Sequence, residues 1–218
     1  MQNMPRHICH FLPTLWPPNP MAQVRHNRME PIKKPMSLLS YTELHALIEQ
    51  NVITADPANV NAASIDITLD DTILIEKIPE TWAESVIDLA QKQNIGLEPR
   101  KIDNKGYTLK PAEFILSSSC EHFNLPDDIV AEFVLKSSQA RNGMNHLLAG
   151  YCDPGWHNSK LTLELHNCTR SHYLKLTPGM KIGQVKFYRV ENVPKHASYA
   201  ITGQYNGQAQ VQQSKGIR

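Results

Sequence analysis

The residues best suited to chemistry stand between Lys136 and Gln184. Ser137-Ser-Gln-Ala-Arg141 follows a strand and reads as a helical turn, with a serine able to cap it and Gly143 able to stop it. Ser137 and Arg141 are four apart and so share one face. A cation and a hydroxyl beside unpaired helix N–H groups suit a phosphate or a developing oxyanion; the same pattern also fits a serine cap with a solvated arginine. Downstream, Ala149-Gly-Tyr-Cys-Asp153-Pro-Gly-Trp156 sets an acid where the chain turns tightly. In the strand that follows, Leu161, Leu163 and Leu165 alternate with Thr162, Glu164 and His166, so Glu164 points away from the leucine face. On a solvated face Glu164 is an ordinary surface acid; lining a pocket, it has its pKa raised by burial toward general-base range.

Short strands must hold these groups. Ser40 and Glu43 form a capping-box pair, and Leu44, Leu47 and Ile48 give a helix to about Gln50. From Ser64 to Ile75, Ile65, Ile67 and Leu69 alternate with Asp66, Thr68 and Asp70, which predicts one half-buried strand. Trp82, Val86 and Leu89, with Thr81 and Glu84 as a second capping box, predict a surface helix within Pro79 to Asn94. Strand character resumes over Tyr107 to Leu116 around Lys110-Pro111, and Asn124-Leu-Pro-Asp-Asp128 turns into a strand from Ile129 to Leu135. Thr177-Pro-Gly-Met180 is a type II turn signal, followed by a strand to about Tyr188. Turn signals about every ten residues argue a mainly β barrel or sandwich with a few short helices.

Residues 1–35 hold seven of the fifteen prolines, and Arg6, Arg25, Arg28, Lys33 and Lys34 against Glu30 alone. That composition predicts a disordered or loosely attached arm, with a working domain over 36–218; Met21, Met29 and Met36 could each start translation. After Tyr199, the run Gln204-Tyr-Asn-Gly-Gln208 leads into a polar tail, flexible from about residue 200, or an arm that orders over a ligand or neighbouring subunit. A net charge of +1 gives no long-range field for nucleic acid or an acidic membrane, so an anionic ligand must be met locally. Cys9, Cys120, Cys152 and Cys168 stand singly, as reduced cytoplasmic thiols do. No run approaches the ~18 apolar residues of a membrane span.

Taken together, these motifs resemble those of the trimeric dCTP deaminases, relatives of the dUTPases. The resemblance rests on Lys136-Ser-Ser138, Arg141, Gly143, His146, Ala149, Asp153 to Trp156, Leu163-Glu164, Asn167 and Pro178 to Gln184, and extends to Ser64-Ile-Asp66, Leu125 to Asp128 and Tyr205 to Gln208. It implies a distorted, jelly-roll-like β-barrel of dUTPase type, a homotrimer with sites between subunits, and deamination of dCTP to dUTP and ammonia. Zinc is not expected: the H-x-E and P-C-x-x-C signatures of the zinc deaminases are absent from the sequence. By similarity Glu164 is the general base, Ser137 and the Ala149 carbonyl position its water, and Arg141 holds charge near the reacting centre. Lys136 and Ser138 meet phosphates, His146 and Trp156 help bind substrate, and Tyr199, Gln204 and Gln208 close over the nucleotide. Mg²⁺ arrives with the triphosphate. The family often shows inhibition by dTTP.

Departures sharpen the alternatives. Relative to the family pattern the chain is one residue shorter between Arg141 and Asp153 and one longer between Asp153 and Glu164, where His157-Asn-Ser-Lys160 replaces a small glycine turn. Gln204 stands where a lysine commonly meets the triphosphate, and Gln139 and Asn142 replace common leucines. Ala149-Gly-Tyr-Cys-Asp153 resembles the bifunctional deaminase–dUTPases, in which Asp153 would orient a second water against the α-phosphorus of dUTP. A non-catalytic nucleotide-binding trimer is the third reading.

Overall fold

The computed structural model describes residues 36–81 and 85–216. The expected arm over 1–35 and the Trp82 and Glu84 positions of the expected surface helix lie outside the described residues. In chain order the elements are β1 (Ser37–Leu38), α1 (Tyr41–Glu49), β2 (Ile65–Thr68), β3 (Thr72–Glu76), β4 (Leu97–Lys101), β5 (Tyr107–Leu109), β6 (Phe114–Asn124), β7 (Ile129–Leu135), α2 (Ser137–Arg141), β8 (Met144–Asn145), β9 (Tyr151–Cys152), β10 (His157–Asn167), β11 (Leu174–Leu176), β12 (Lys181–Arg189) and α3 (Tyr199–Thr202).

Two antiparallel sheets face one another. One runs β1-β12-β7-β9 with β2 also on β12; the other runs β4-β3-β6-β10-β8, and β11 pairs with β5 in a separate ribbon. Strand pairing does not join the sheets into a closed barrel among the described residues. The alternating side chains account for the core: Ile65 and Ile67 of β2 and Val185 and Phe187 of β12 meet Ile115 and Phe123 of β6 and Leu163 and Leu165 of β10 in one apolar cluster. Burying such side chains at about 25 cal/mol per Å² is the main term holding the sheets together.

The predicted ends of α1 hold: Glu43 reaches back to accept from Ser40 N at 3.0 Å and Ser40 Oγ at 2.8 Å, while Leu44 and Leu47 are buried. The Thr177–Met180 turn closes through Met180 N donating to Thr177 O at 3.1 Å, with Gly179 at φ +77°.

Three expectations are corrected. The strand predicted over 64–75 is two, β2 and β3, in different sheets, because the chain crosses between them at Leu69 to Asp71. Its polar face is not solvated either: Asp66 is buried, paired with Lys136 Nζ at 2.6 Å and Lys181 Nζ at 2.9 Å. Finally, residues 85–94 form no α-helix. Asp88 Oδ1 instead accepts from Ala90 N at 2.9 Å, Asp88 N donates to Gln93 Oε1 at 3.0 Å, and Lys92 sits at φ +58°. Such local side-chain bonds compete with a helical ladder, and Val86 and Leu89 stand exposed.

Candidate functional site

Glu164 owes its position to β10. Leu161, Leu163 and Leu165 turn into the core, which sends Thr162 and Glu164 to the opposite face, with Leu116 of β6 directly across from Glu164. The carboxyl is three-quarters buried, and burial pushes its pKa up to about 7. Nε2 of His146 lies 3.4 Å from Glu164 Oε2; the imidazole is buried, packs on the Phe133 ring at 4.4 Å, and is held down at about 4 by that burial.

The acid-bearing turn is tied down from three sides. Trp156 N donates to Asp153 O at 3.2 Å, and Gly155 sits at φ +85° where a Cβ would lie 2.2 Å from Ser198 Oγ. Ser198 Oγ donates to Asp127 Oδ1 at 2.6 Å and Tyr199 N donates to Pro154 O at 3.0 Å. The Leu125 to Asp128 turn therefore seats α3 on the Asp153 turn, and with it Tyr199. Gly150 runs so close to β7 that a Cβ would lie 2.6 Å from Phe133 O, while Phe133 N donates to Gly150 O at 2.8 Å. Burial raises the pKa of Asp153 and of Tyr151 beside it.

These elements enclose a cavity of about 490 Å³. Six of the residues singled out in the sequence line it: Glu164, Asp153, Ala149, Trp156, Tyr199 and Gln208. His146 reaches it only through its contact with Glu164. Ser137, Ser138 and Arg141 are exposed on α2 and do not line it; Arg141 borders a separate open groove with His172 and Lys175. The residue at the N-cap of α2 is Lys136, without a side-chain cap bond, rather than a serine. Its ammonium is engaged by Asp66, whose carboxyl burial alone would push up, but which hydrogen bonds from Lys136, Lys181 and Asn61 hold below its usual range. Gln204 lies outside the cavity lining; its carbonyl accepts from Lys215 Nζ at 2.6 Å.

The register of β10 on β6 slips between His157 and Ser159, with Asn158 at φ +49°. That bulge grips the C-terminal segment: His157 N donates to Asn206 Oδ1 at 3.1 Å, Lys160 N to Gln208 O at 2.8 Å and Trp156 Nε1 to Tyr205 O at 2.8 Å. Between α2 and β9, Leu147 and Leu148 both take positive φ, +46° and +60°, a conformation that costs roughly 1–2 kcal/mol per residue.

Sequence reasoning missed the far wall. Asn94, Ile95 and Leu97 after the surface segment, Thr162, and Gln212 to Ser214 of the tail all line the cavity. Only Thr162 carried a signal, as the neighbour of Glu164 on the polar face of β10. Among the described residues no group of three or more His, Cys, Asp or Glu is arranged to hold a metal ion, and no helix is long and apolar enough to cross a membrane.

A family model described as dCTP deaminase-like matches residues 38–190. The "dCTP deaminase, dUMP-forming" of Tropheryma whipplei (strain Twist) is 35% identical over 178 residues, which cover 78% of this chain and 88% of that one. That of Rhodococcus jostii (strain RHA1) is 35% identical over 180 residues, covering 78% and 92%. Among solved structures, 2′-deoxycytidine 5′-triphosphate deaminase from Agrobacterium tumefaciens shares the fold with a TM-score of 0.57 at 17% identity. The match covers 72% of this chain and 49% of that one, so this chain spans about half its length.

Proposed function

The chain belongs to the dCTP deaminase-like family, and on that premise we propose that it deaminates dCTP without zinc and then hydrolyses the resulting dUTP to dUMP and pyrophosphate. The observation that carries this reading is the sharing of one cavity by Glu164 and Asp153, both with pKa raised by burial. The "dUMP-forming" names of the relatives support two steps over deamination alone. So does Ala149-Gly-Tyr-Cys-Asp153, whose glycine is required by the approach to Phe133.

In the first step Glu164 takes one proton from a water as its oxygen bonds to C4 of cytosine, and gives that proton to N3. It then takes the second proton from the new hydroxyl and gives it to the amino group; the C4–N bond breaks and ammonia leaves. A carboxyl with a pKa near the working pH suits both directions of transfer. His146, neutral at that pH, stands beside the carboxyl without neutralising it. In the second step Asp153 orients a water in line with the α-phosphorus and takes its proton as the new P–O bond forms, and the bond to pyrophosphate breaks.

Lys136, Ser137, Ser138 and Arg141 serve, in this reading, the cavity of a neighbouring subunit in a homotrimer. Ser137 positions water there with the Ala149 carbonyl, Arg141 holds charge, and Lys136 and Ser138 meet phosphates. Trp156 anchors the segment bearing Gln204 and Gln208, and Tyr199 closes the wall. The Lys215 ammonium at the Gln204 carbonyl supplies a cation where the side chain at 204 has none. Mg²⁺ would enter as part of the substrate, its charge offsetting that of the triphosphate. dTTP, with the same triphosphate and no amine to lose, fits as a competing ligand. A reaction on the free nucleotide pool suits a cytoplasmic protein.

Incubation with dCTP and Mg²⁺, with dUTP, dUMP and pyrophosphate resolved over time, tests the proposal. Matched release of dUMP and pyrophosphate is expected. Accumulation of dUTP would reduce the function to deamination, and tight binding without turnover would leave a nucleotide-binding protein.

A further inference from the structure

Gln212 lines the same cavity, and its Oε1 is buried without a hydrogen-bond partner among the described residues. The carboxamide of Gln208 is different. Its Oε1 accepts from Thr162 Oγ1 at 3.3 Å and its Nε2 donates to Tyr205 O at 3.0 Å, so both ends are engaged within the protein. Spare hydrogen-bonding capacity lies four residues further on.

The segment carrying it is pinned. Gln212 N donates to Thr162 Oγ1 at 3.3 Å, Val211 beside it is buried, and Asn94 Nδ2 donates to Ser214 O at 3.0 Å. Thr162 and Glu164 share one face of β10 two residues apart, a spacing of about 7 Å. Gln212 is thus anchored within the breadth of one substituted pyrimidine from the carboxylate. A buried acceptor left unpaired costs the desolvation of that group unless something else supplies a donor.

We propose that Gln212 is a specificity-determining residue that reads the hydrogen-bonding edge of the pyrimidine base. The inference rests on the nucleotide reading of the cavity. A carboxamide presents one acceptor and a pair of donors side by side, which matches a cytosine edge of amino group and ring nitrogen. Turned by half a rotation, the same group matches the carbonyl and N–H of uracil, so one side chain can serve substrate and deaminated product.

The test is Gln212→Leu, which keeps the bulk and removes both polar ends. The expected result is a fall of at least about tenfold in kcat/KM for dCTP, mostly through KM, with Tm equal to or above that of the unaltered protein. Binding of deoxyribose 5-triphosphate, which lacks the base, is expected to be unchanged. Turnover of dCTP within about twofold of the original overturns the inference. Equal losses for dCTP and the base-free triphosphate, accompanied by a lower Tm, also overturn it, since they mark support of the tail alone. Should the leucine variant not fold, Gln212→Glu keeps the reach and the acceptor but loses the donors; weaker dCTP binding with base-free binding intact is expected, and unchanged dCTP binding overturns the idea. Absence of dCTP binding and turnover in the unaltered protein would instead overturn the nucleotide reading.

Discussion

Nε2 of His146 lies 3.4 Å from Oε2 of Glu164, yet at neutral pH the two do not form a salt bridge. Burial holds the imidazole at about 4 and pushes the carboxyl up to about 7, so near pH 7 a neutral ring faces a carboxyl midway through its titration. A charged ring would draw Glu164 back toward the ordinary carboxylate range and weaken it as a base.

The acidic limb of the rate profile follows. As pH rises, kcat/KM for dCTP climbs through an apparent pKa of about 7 and then levels, because the free enzyme must hold Glu164 ionised. Initial rates at low substrate across the pH range check this. A limb in the ordinary carboxylate range would contradict it.

Stability should run the opposite way. Between the unfolded value of 4.5 and the folded value of about 7 the native state holds a proton that the unfolded chain has lost, so stability falls as pH rises through this window. Glu164→Gln removes that penalty. The variant is expected to be more stable above pH 7 by up to about 3 kcal/mol, with the difference closing as pH falls toward 4.5. Urea denaturation at the two ends of the window measures it, and a pH-independent difference would contradict the burial argument.

Two glycines separate crowding from backbone strain. Gly150→Ala forces a Cβ to 2.6 Å from Phe133 O and 2.9 Å from Phe133 Cβ, whereas at Gly179 nothing lies within 4 Å and only the φ of +77° opposes a side chain. Thermal denaturation is expected to show a loss of about 1–3 kcal/mol or more at Gly150 and about 1 kcal/mol at Gly179. Equal losses would mean that the approach to β7 relaxes freely.

Local signals made most of the elements legible. The Ser40/Glu43 box, the leucine alternation in β10 and the Pro178-Gly179 turn act over a few residues, and each element stands where its pattern lies. Over 85–94 the expected surface helix gives way to local turns, because Asp88 found nearer hydrogen bonds. Asp66 read as solvated because its neutralising lysines come from 70 residues away and further. The same distance hid the far wall of the cavity. Asn94 and Gln212 carry no periodic signal, and they join Glu164 in the cavity lining only through the tertiary fold.

The central claim is that Glu164 and Asp153 divide two hydrolyses within one cavity, and product analysis of Asp153→Asn on dCTP tests it most directly. The account predicts that deamination continues while dUMP formation falls by at least about 100-fold, so that dUTP accumulates. Release of dUMP from dCTP at the original rate in that variant would contradict it.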